Sequence, residues 1–241
     1  MIEKVRKATR EADKLLNTQQ RERLKALSDV EKVLFAKVWE QMQRELSEDG
    51  GRITSKKGFV SLAKAIDKVF DAIEAEHLDD FVRGTSGDMR QLVAASTEQF
   101  RPLAKGNDIA KIRSSVEDTM RKRLGIDEEW KPLRSGFLDD LVRNRAARDE
   151  VKKLVAKGVS GGIPMRKLEK ALRLKVQGTK NTAGVLEKSI GGFVLDAYQV
   201  ADRVTAREFA TRLGLRYFIY SGGLIETSRP FCRKRNNKVF T

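Results

Sequence analysis

Apolar residues recur at intervals of three and four along most of the chain, and that period restricts the fold to long helices packed on one another. Leu24, Leu27, Val30, Leu34, Val38, Met42 and Leu46 share one stripe of a long helix. The pair Gly50-Gly51 is placed to end it. Thr54 or Ser55 then offers a cap for a second helix, whose stripe is Phe59, Leu62, Ile66, Val69, Phe70, Ile73, His77 and Phe81. The stretch "RGTSGD" interrupts this stripe, and Ser86 or Asp88 restarts a segment reaching about Phe100. Two long helices joined in this way are expected to form an antiparallel hairpin.

After "RPLAKGND" the stripe resumes with Ile109, Ile112, Val116, Met120 and Leu124, and Gly125 stops it. A further helix is expected from about Ser135 to Lys157, carrying Leu138, Leu141, Val142, Val151, Leu154 and Val155, with Gly158 as its left-handed stop. Pro164 suits the first turn of a short helix that Gly178 follows. The next helix spans about Thr182 to Leu213, with Gly191-Gly192 inside it as a site of close packing or a kink. Only "RYFIYS" and "KVFT" read as strands, linked by Gly222-Gly223, Pro230 and Asn236-Asn237. The expected fold is mainly α and elongated: long helices and helical hairpins followed by a small C-terminal strand-turn module. Three segments suggest themselves: a long-helix arm over 1–104, a basic helical segment over 105–180, and a long helix with a β-turn module over 181–241.

Charge is unevenly distributed. The chain carries a net charge of +15, and between Lys131 and Lys180 there are 14 Lys or Arg against 5 Asp or Glu. Such a cluster attracts polyanions by Coulomb attraction and counterion release, whatever the base sequence. Arg143, Arg145, Arg148, Lys152 and Lys153 are the candidate contacts to DNA phosphates. The alternative is that these cations line the solvated faces of ordinary amphipathic helices. One cysteine excludes an internal disulfide, no apolar run approaches the roughly 20 residues of a membrane span, and the first residues lack the apolar centre of a signal peptide. A protein made in a cytoplasm, without a membrane partner, is expected.

Few catalytic constellations can be drawn from this inventory. His77 lies within an apolar stripe and reads as a buried or boundary helix residue. Nothing around Cys232 and His77 supports a nucleophile and its base, and Cys232 lacks the neighbouring Cys or His of a zinc site. The glycine pairs at 161–162, 191–192 and 222–223 lack the spacing and following Lys-Ser or Lys-Thr of a phosphate-binding loop. The expectation is therefore no enzymatic activity and no cofactor or metal.

The order "AYQVADRVTAREFATRLGLRYFIYSGGLIETSRPFCRKRNNKVF", residues 197–240, resembles the central part of the minor head proteins of tailed bacteriophages, the Mu F-like head morphogenesis family. In that family a long helix leads into a strand with an aromatic residue, a Gly-containing turn, a Thr-Ser-Arg segment with a nearby Cys, a basic stretch and a Lys-Val-Phe strand. The matching residues are Tyr220, Gly222, Gly223, Thr227, Ser228, Arg229, Cys232, Lys238, Val239 and Phe240. Asn237 stands where such proteins often have Gly, and the Gly-rich segment with a Cys-Arg-His triplet that usually follows is not in this sequence; the expectation is either that the encoded chain continues past Thr241, or that "KVFT" pairs with the "RYFIYS" strand or with a neighbouring subunit. The resemblance implies a virion component inside the head near the portal, made in the host cytoplasm and present in a few copies. Its implied partners are portal protein, other virion proteins and packaged DNA, in head assembly and DNA handling without catalysis. The competing reading, from charge alone, is a sequence-independent DNA-binding module or the non-catalytic arm of a DNA-processing or virion-delivered enzyme.

Overall fold

The computed structural model describes residues 2–143, 145–216, 218–220 and 238–240. Helix α1, Ile2–Glu45, is 44 residues long, about 66 Å at 1.5 Å per residue. Leu27, Leu34, Phe35, Val38 and Met42 are buried along it, so the predicted stripe is the face that packs.

The helix stops short of the glycine pair. Strands β1, Leu46–Asp49, and β2, Arg52–Ser55, form an antiparallel hairpin with Leu46 opposite Ser55 and Asp49 opposite Arg52. A two-residue hairpin turn that matches strand twist needs positive φ at both central residues. Gly50 and Gly51 supply it, at 54° and 77°. The glycines expected to stop a helix instead join two strands, and Thr54 and Ser55 lie in β2 rather than capping a helix. Helix α2, Phe59–Ile73, starts behind Gly58, which has no side chain to cap it.

Helix α2 continues through a π-helical turn, Glu74–Leu78, into α3, Asp79–Phe100. The "RGTSGD" stretch does not break this helix, because its small and polar residues serve tertiary contacts. Gly84 lies under the Arg23 guanidinium of α1, where a Cβ would overlap it. Ser86 Oγ donates to the Trp130 carbonyl at 2.5 Å. Asp88 is buried and accepts two hydrogen bonds from Arg23, at 2.6 and 3.1 Å, and a third from the Tyr198 hydroxyl. One turn away Gln19 donates to Gln91 at 3.0 Å, and further along α1 Lys37 pairs with Glu76 of the π-helical turn that leads into α3. Partners ascend α1 as they descend α3, so the helices run antiparallel, as the sequence predicts.

Helix α4, Ile109–Leu124, is capped by Asp108, whose carboxylate accepts from the Ala110 and Lys111 N–H groups, and it ends at left-handed Gly125. The single helix expected over 135–157 is two: α5, Phe137–Val142, and α6, Ala146–Ser160. They separate because they serve different neighbours, α5 packing on α3 and α4 and α6 on α2 and β2. Gly158 is inside α6, against Leu168 and Ile163, and does not end it. Helix α7, Met165–Gln177, stops at Gly178 as predicted, while Pro164 sits at its cap, extended, rather than in its first turn. From Val185 the chain is helical again, through a π-helical turn at Glu187–Gly191 into α8, Gly192–Arg212. Strands β3, Phe218–Tyr220, and β4, Lys238–Phe240, pair antiparallel with Phe218 opposite Phe240 and Tyr220 opposite Lys238. The fold is mainly α. Its buried apolar residues form one cluster from Leu27 to Phe209, crossing both segment boundaries drawn from the sequence. Phe100 and Phe209 stack within it, ring centres 5.1 Å apart.

Glu31 of α1 has no exposed surface, and its Oε1 accepts from the N–H groups of Leu186 and Glu187 at 2.7 and 2.8 Å. It thus caps, from another helix, donors that the first turn leaves free. Burial raises its pKa above the ordinary glutamate value, against the lowering effect of those two bonds.

These polar contacts can be tested by substitution. Asp88→Ala strands Arg23 and Tyr198 together and should lower unfolding free energy by about 3 kcal/mol, against about 1 kcal/mol for Tyr198→Phe; urea titration measures both. Because the Glu31 pKa is raised in the folded state, its contribution falls as pH rises from the unfolded value through the folded one, and is constant above. Glu31→Gln carries no such proton, so its melting temperature, relative to wild type, should improve on passing from pH 4 to pH 7. A difference independent of pH would reject this account.

Candidate nucleic-acid interface

Helices α6 and α7 form an antiparallel hairpin through the turn at residues 161–164. Lys175 pairs with Glu150 near one end, and Leu168 lies against Gly158 near the other. The hairpin is docked by polar contacts at its turn: Ile53 N–H of β2 donates to the Ile163 carbonyl at 3.3 Å, and Glu48 of β1 accepts from the Met165 N–H at 3.3 Å. Leu168, Leu172 and Val176 of α7, and Ala147, Val151 and Val155 of α6, are buried beneath it.

The predicted phosphate contacts separate into two groups. Arg148, with only 15% of its side chain exposed, reaches Asp71 at 2.7 Å, Glu74 at 2.8 Å and Asp67 at 3.7 Å, and its guanidinium lies over the Phe70 ring. Burial opposes its charge, yet the bonds to Asp71 and Glu74 hold its pKa above the ordinary arginine value. Lys152, one turn on, reaches Asp67 at 2.8 Å and Asp149 at 3.6 Å. These two cations join α6 to α2. Arg143 is half-exposed and bonded to Asp139 at 2.7 Å, an interaction that holds the Asp139 pKa below the usual carboxylate range. Arg145 and Lys153 are exposed and have no ion pair among the described residues.

A second set of cations was not singled out in the sequence. Lys157, Arg166, Lys167 and Lys170 are exposed and, among the described residues, without ion pairs. On a helical projection Arg166, Lys167 and Lys170 cover one arc of α7 opposite its buried side, and Lys153 and Lys157 cover the corresponding arc of α6. The register set by Glu150–Lys175 and Gly158–Leu168 places Lys157 and Lys167 at the same level of the hairpin. The two arcs therefore form one basic surface, with half-exposed Leu174 among its lysines. Arg173, at its edge, is bonded to Glu169 at 2.9 Å and lies over Phe35 at 4.3 Å. Spacing is the signal that separates the groups. Asp67, Asp71 and Glu74 recur at four and three residues on α2 and the π-helical turn that continues it, matching Arg148 and Lys152 on α6, whereas no acidic stripe matches Arg166, Lys167 and Lys170.

Of the motif residues in the C-terminal module, Tyr220, Lys238, Val239 and Phe240 belong to the β3–β4 pair. Gly222, Gly223, Thr227, Ser228, Arg229 and Cys232 lie outside the described residues. His77 is half-buried in the π-helical turn, 3.9 Å from Glu76. Among the described residues no group of three or more His, Cys, Asp or Glu side chains is arranged to hold a metal ion, and no helix is long and apolar enough to cross a membrane. No family model, curated protein or solved structure matches the chain.

Arg148→Gln leaves Asp67, Asp71 and Glu74 side by side along one helix face without their shared guanidinium and should cost about 1–3 kcal/mol. Lys152→Gln, with Asp67 still held by Arg148, should cost less than about 1 kcal/mol. Thermal unfolding read beside DNA binding is the check: both variants are expected to melt earlier yet bind duplex DNA within about twofold of wild type.

Proposed function

We propose that the chain is a minor structural component of a tailed-phage head, placed inside the head near the portal, which contacts packaged DNA without reading its sequence. The observation that carries the DNA part is the α6–α7 surface. Lys153, Lys157, Arg166, Lys167 and Lys170 are exposed on one side of a docked hairpin, with no carboxylate among the described residues paired to them. Four of the five are lysines, whose flexible ammonium groups on a convex helical surface suit phosphate oxygens and lack the fixed bidentate geometry that distinguishes bases; Arg166 alone carries a planar fork. The virion part is supported by the order of motif residues over 197–240, and the antiparallel pairing of β3 with β4 agrees with a strand–turn–strand module. Long α1 and the hairpins around it supply the scaffold in this reading, and portal protein and neighbouring virion proteins are its partners. No catalytic step is part of it.

Fluorescence anisotropy with a duplex of about 20 base pairs, over a range of salt, tests the DNA contact. Binding should be weak, indifferent to sequence, and linear in log–log salt dependence. Changing Lys157, Arg166, Lys167 and Lys170 together to Gln should reduce the slope by about 0.9 for each phosphate that is no longer neutralised, with helicity and melting temperature retained. An unchanged slope would return this surface to an ordinary solvated face. Capture of a tailed-phage portal protein by the full chain tests the virion part separately; a chain that binds no portal protein would reject it.

A further inference from the structure

A second basic feature lies between α4 and α8. Helices α4 and α8 pack on each other, and between their outer edges an open cavity of about 290 Å³ is lined by Thr119 and Arg123 of α4 and by Arg203, Val204, Arg207 and Glu208 of α8. Three arginines from two helices face one concavity. Glu208, the only carboxylate in the lining among the described residues, pairs with Arg212 at 3.5 Å. The Thr119 hydroxyl donates to the Ser115 carbonyl at 3.0 Å. Arg203 has one long hydrogen bond to Gln199, at 3.4 Å. Arg123 and Arg207 are exposed and have no side-chain partner among the described residues.

We propose that this cleft is a phosphate-binding site. A guanidinium offers a planar fork that matches two oxygens of a tetrahedral anion, and forks from two helices can grip one anion from different sides, which isolated surface lysines cannot. The concavity brings three like charges together while its one carboxylate is held by Arg212, so an anion between them relieves their mutual repulsion. Val204 gives the cleft an apolar patch of lining, and Thr119 is already committed to its own helix, so selectivity rests on charge and guanidinium geometry. The phosphate can belong to a nucleic-acid backbone, in which case the cleft extends the proposed DNA contact and rests on that reading, or to a small phosphate from solution, in which case it stands independently.

The test uses the full chain with two probes: inorganic phosphate, followed by calorimetry at low ionic strength, and the same duplex, followed by anisotropy. Arg123→Gln combined with Arg207→Gln is expected to weaken at least one of them tenfold or more. Arg207→Lys, which keeps the charge and removes the fork, should fall between that variant and wild type. Lys4→Gln combined with Lys7→Gln, which removes as much charge from the start of α1, should change either probe less than twofold. Loss for the duplex alone identifies a backbone phosphodiester as ligand; loss for inorganic phosphate alone identifies a small phosphate; either supports the site. It is overturned if the wild-type chain binds neither probe, if the cleft variant binds both as wild type does, or if the α1 control loses as much as the cleft variant. Loss of duplex binding in the variant with Lys157, Arg166, Lys167 and Lys170 changed to Gln, while the cleft variant binds both probes as wild type does, would keep the DNA reading and reject the cleft.

Discussion

One carboxylate fixes the register of three helices. Asp88 on α3 accepts from Arg23 on α1 and from Tyr198 on α8, all three in or beside the core. Apolar stripes spaced by three and four residues specify which faces meet, but they tolerate a slip of one helical turn, since Leu replaces Leu. A slip of one turn moves Arg23 by about 5.4 Å and leaves a buried carboxylate without its cation. The Glu31 contact with Leu186 and Glu187 adds a second fixed point between α1 and the start of the helix leading to α8. Because Glu31 lies after Arg23 in α1 whereas Leu186 lies before Tyr198, the two points also define an antiparallel direction. These polar contacts do not drive collapse. They choose among collapsed arrangements.

That division explains what could be read in the sequence. Helices whose packing follows period and local punctuation are legible: the stripe of α1, the stripe and glycine stop of α4, and the Gly178 stop of α7. Residues whose role is set by distant partners are not. Gly84, Ser86 and Asp88 look like a helix breaker because small and polar residues usually compete with helix structure, yet here they accommodate Arg23, the Trp130 carbonyl and Tyr198. Gly50-Gly51 was ambiguous for another reason: positive φ serves a helix end and a two-residue hairpin turn equally well. The deciding feature is Leu46 and Ile53, which are buried from short strands.

The basic segment shows the same limit for function. Sequence proximity grouped Arg148 and Lys152 with Lys153, although on a helix these positions point in different directions. Arg148 and Lys152 turn towards the acidic stripe Asp67, Asp71 and Glu74, while Lys153 turns away from it. A count of charge along the chain therefore mixes cations that hold the fold together with cations that leave a field outside it.

The chain has 49 Lys and Arg against 34 Asp and Glu, so one-to-one pairing must leave at least 15 cations over. Their placement matters more than their number. Spread evenly, they would be screened from one another by salt within about 8–10 Å. On the α6–α7 surface, and again in the α4–α8 cleft, they are separated by single helical turns or face each other across one groove, inside that screening distance. Their repulsion weakens the folded state slightly, and the folded state tolerates it because the apolar cluster and the Asp88 and Glu31 contacts lie elsewhere. Anything that supplies negative charge to those surfaces relieves that repulsion only while the helices remain assembled, so binding of a polyanion and stability of the fold are linked.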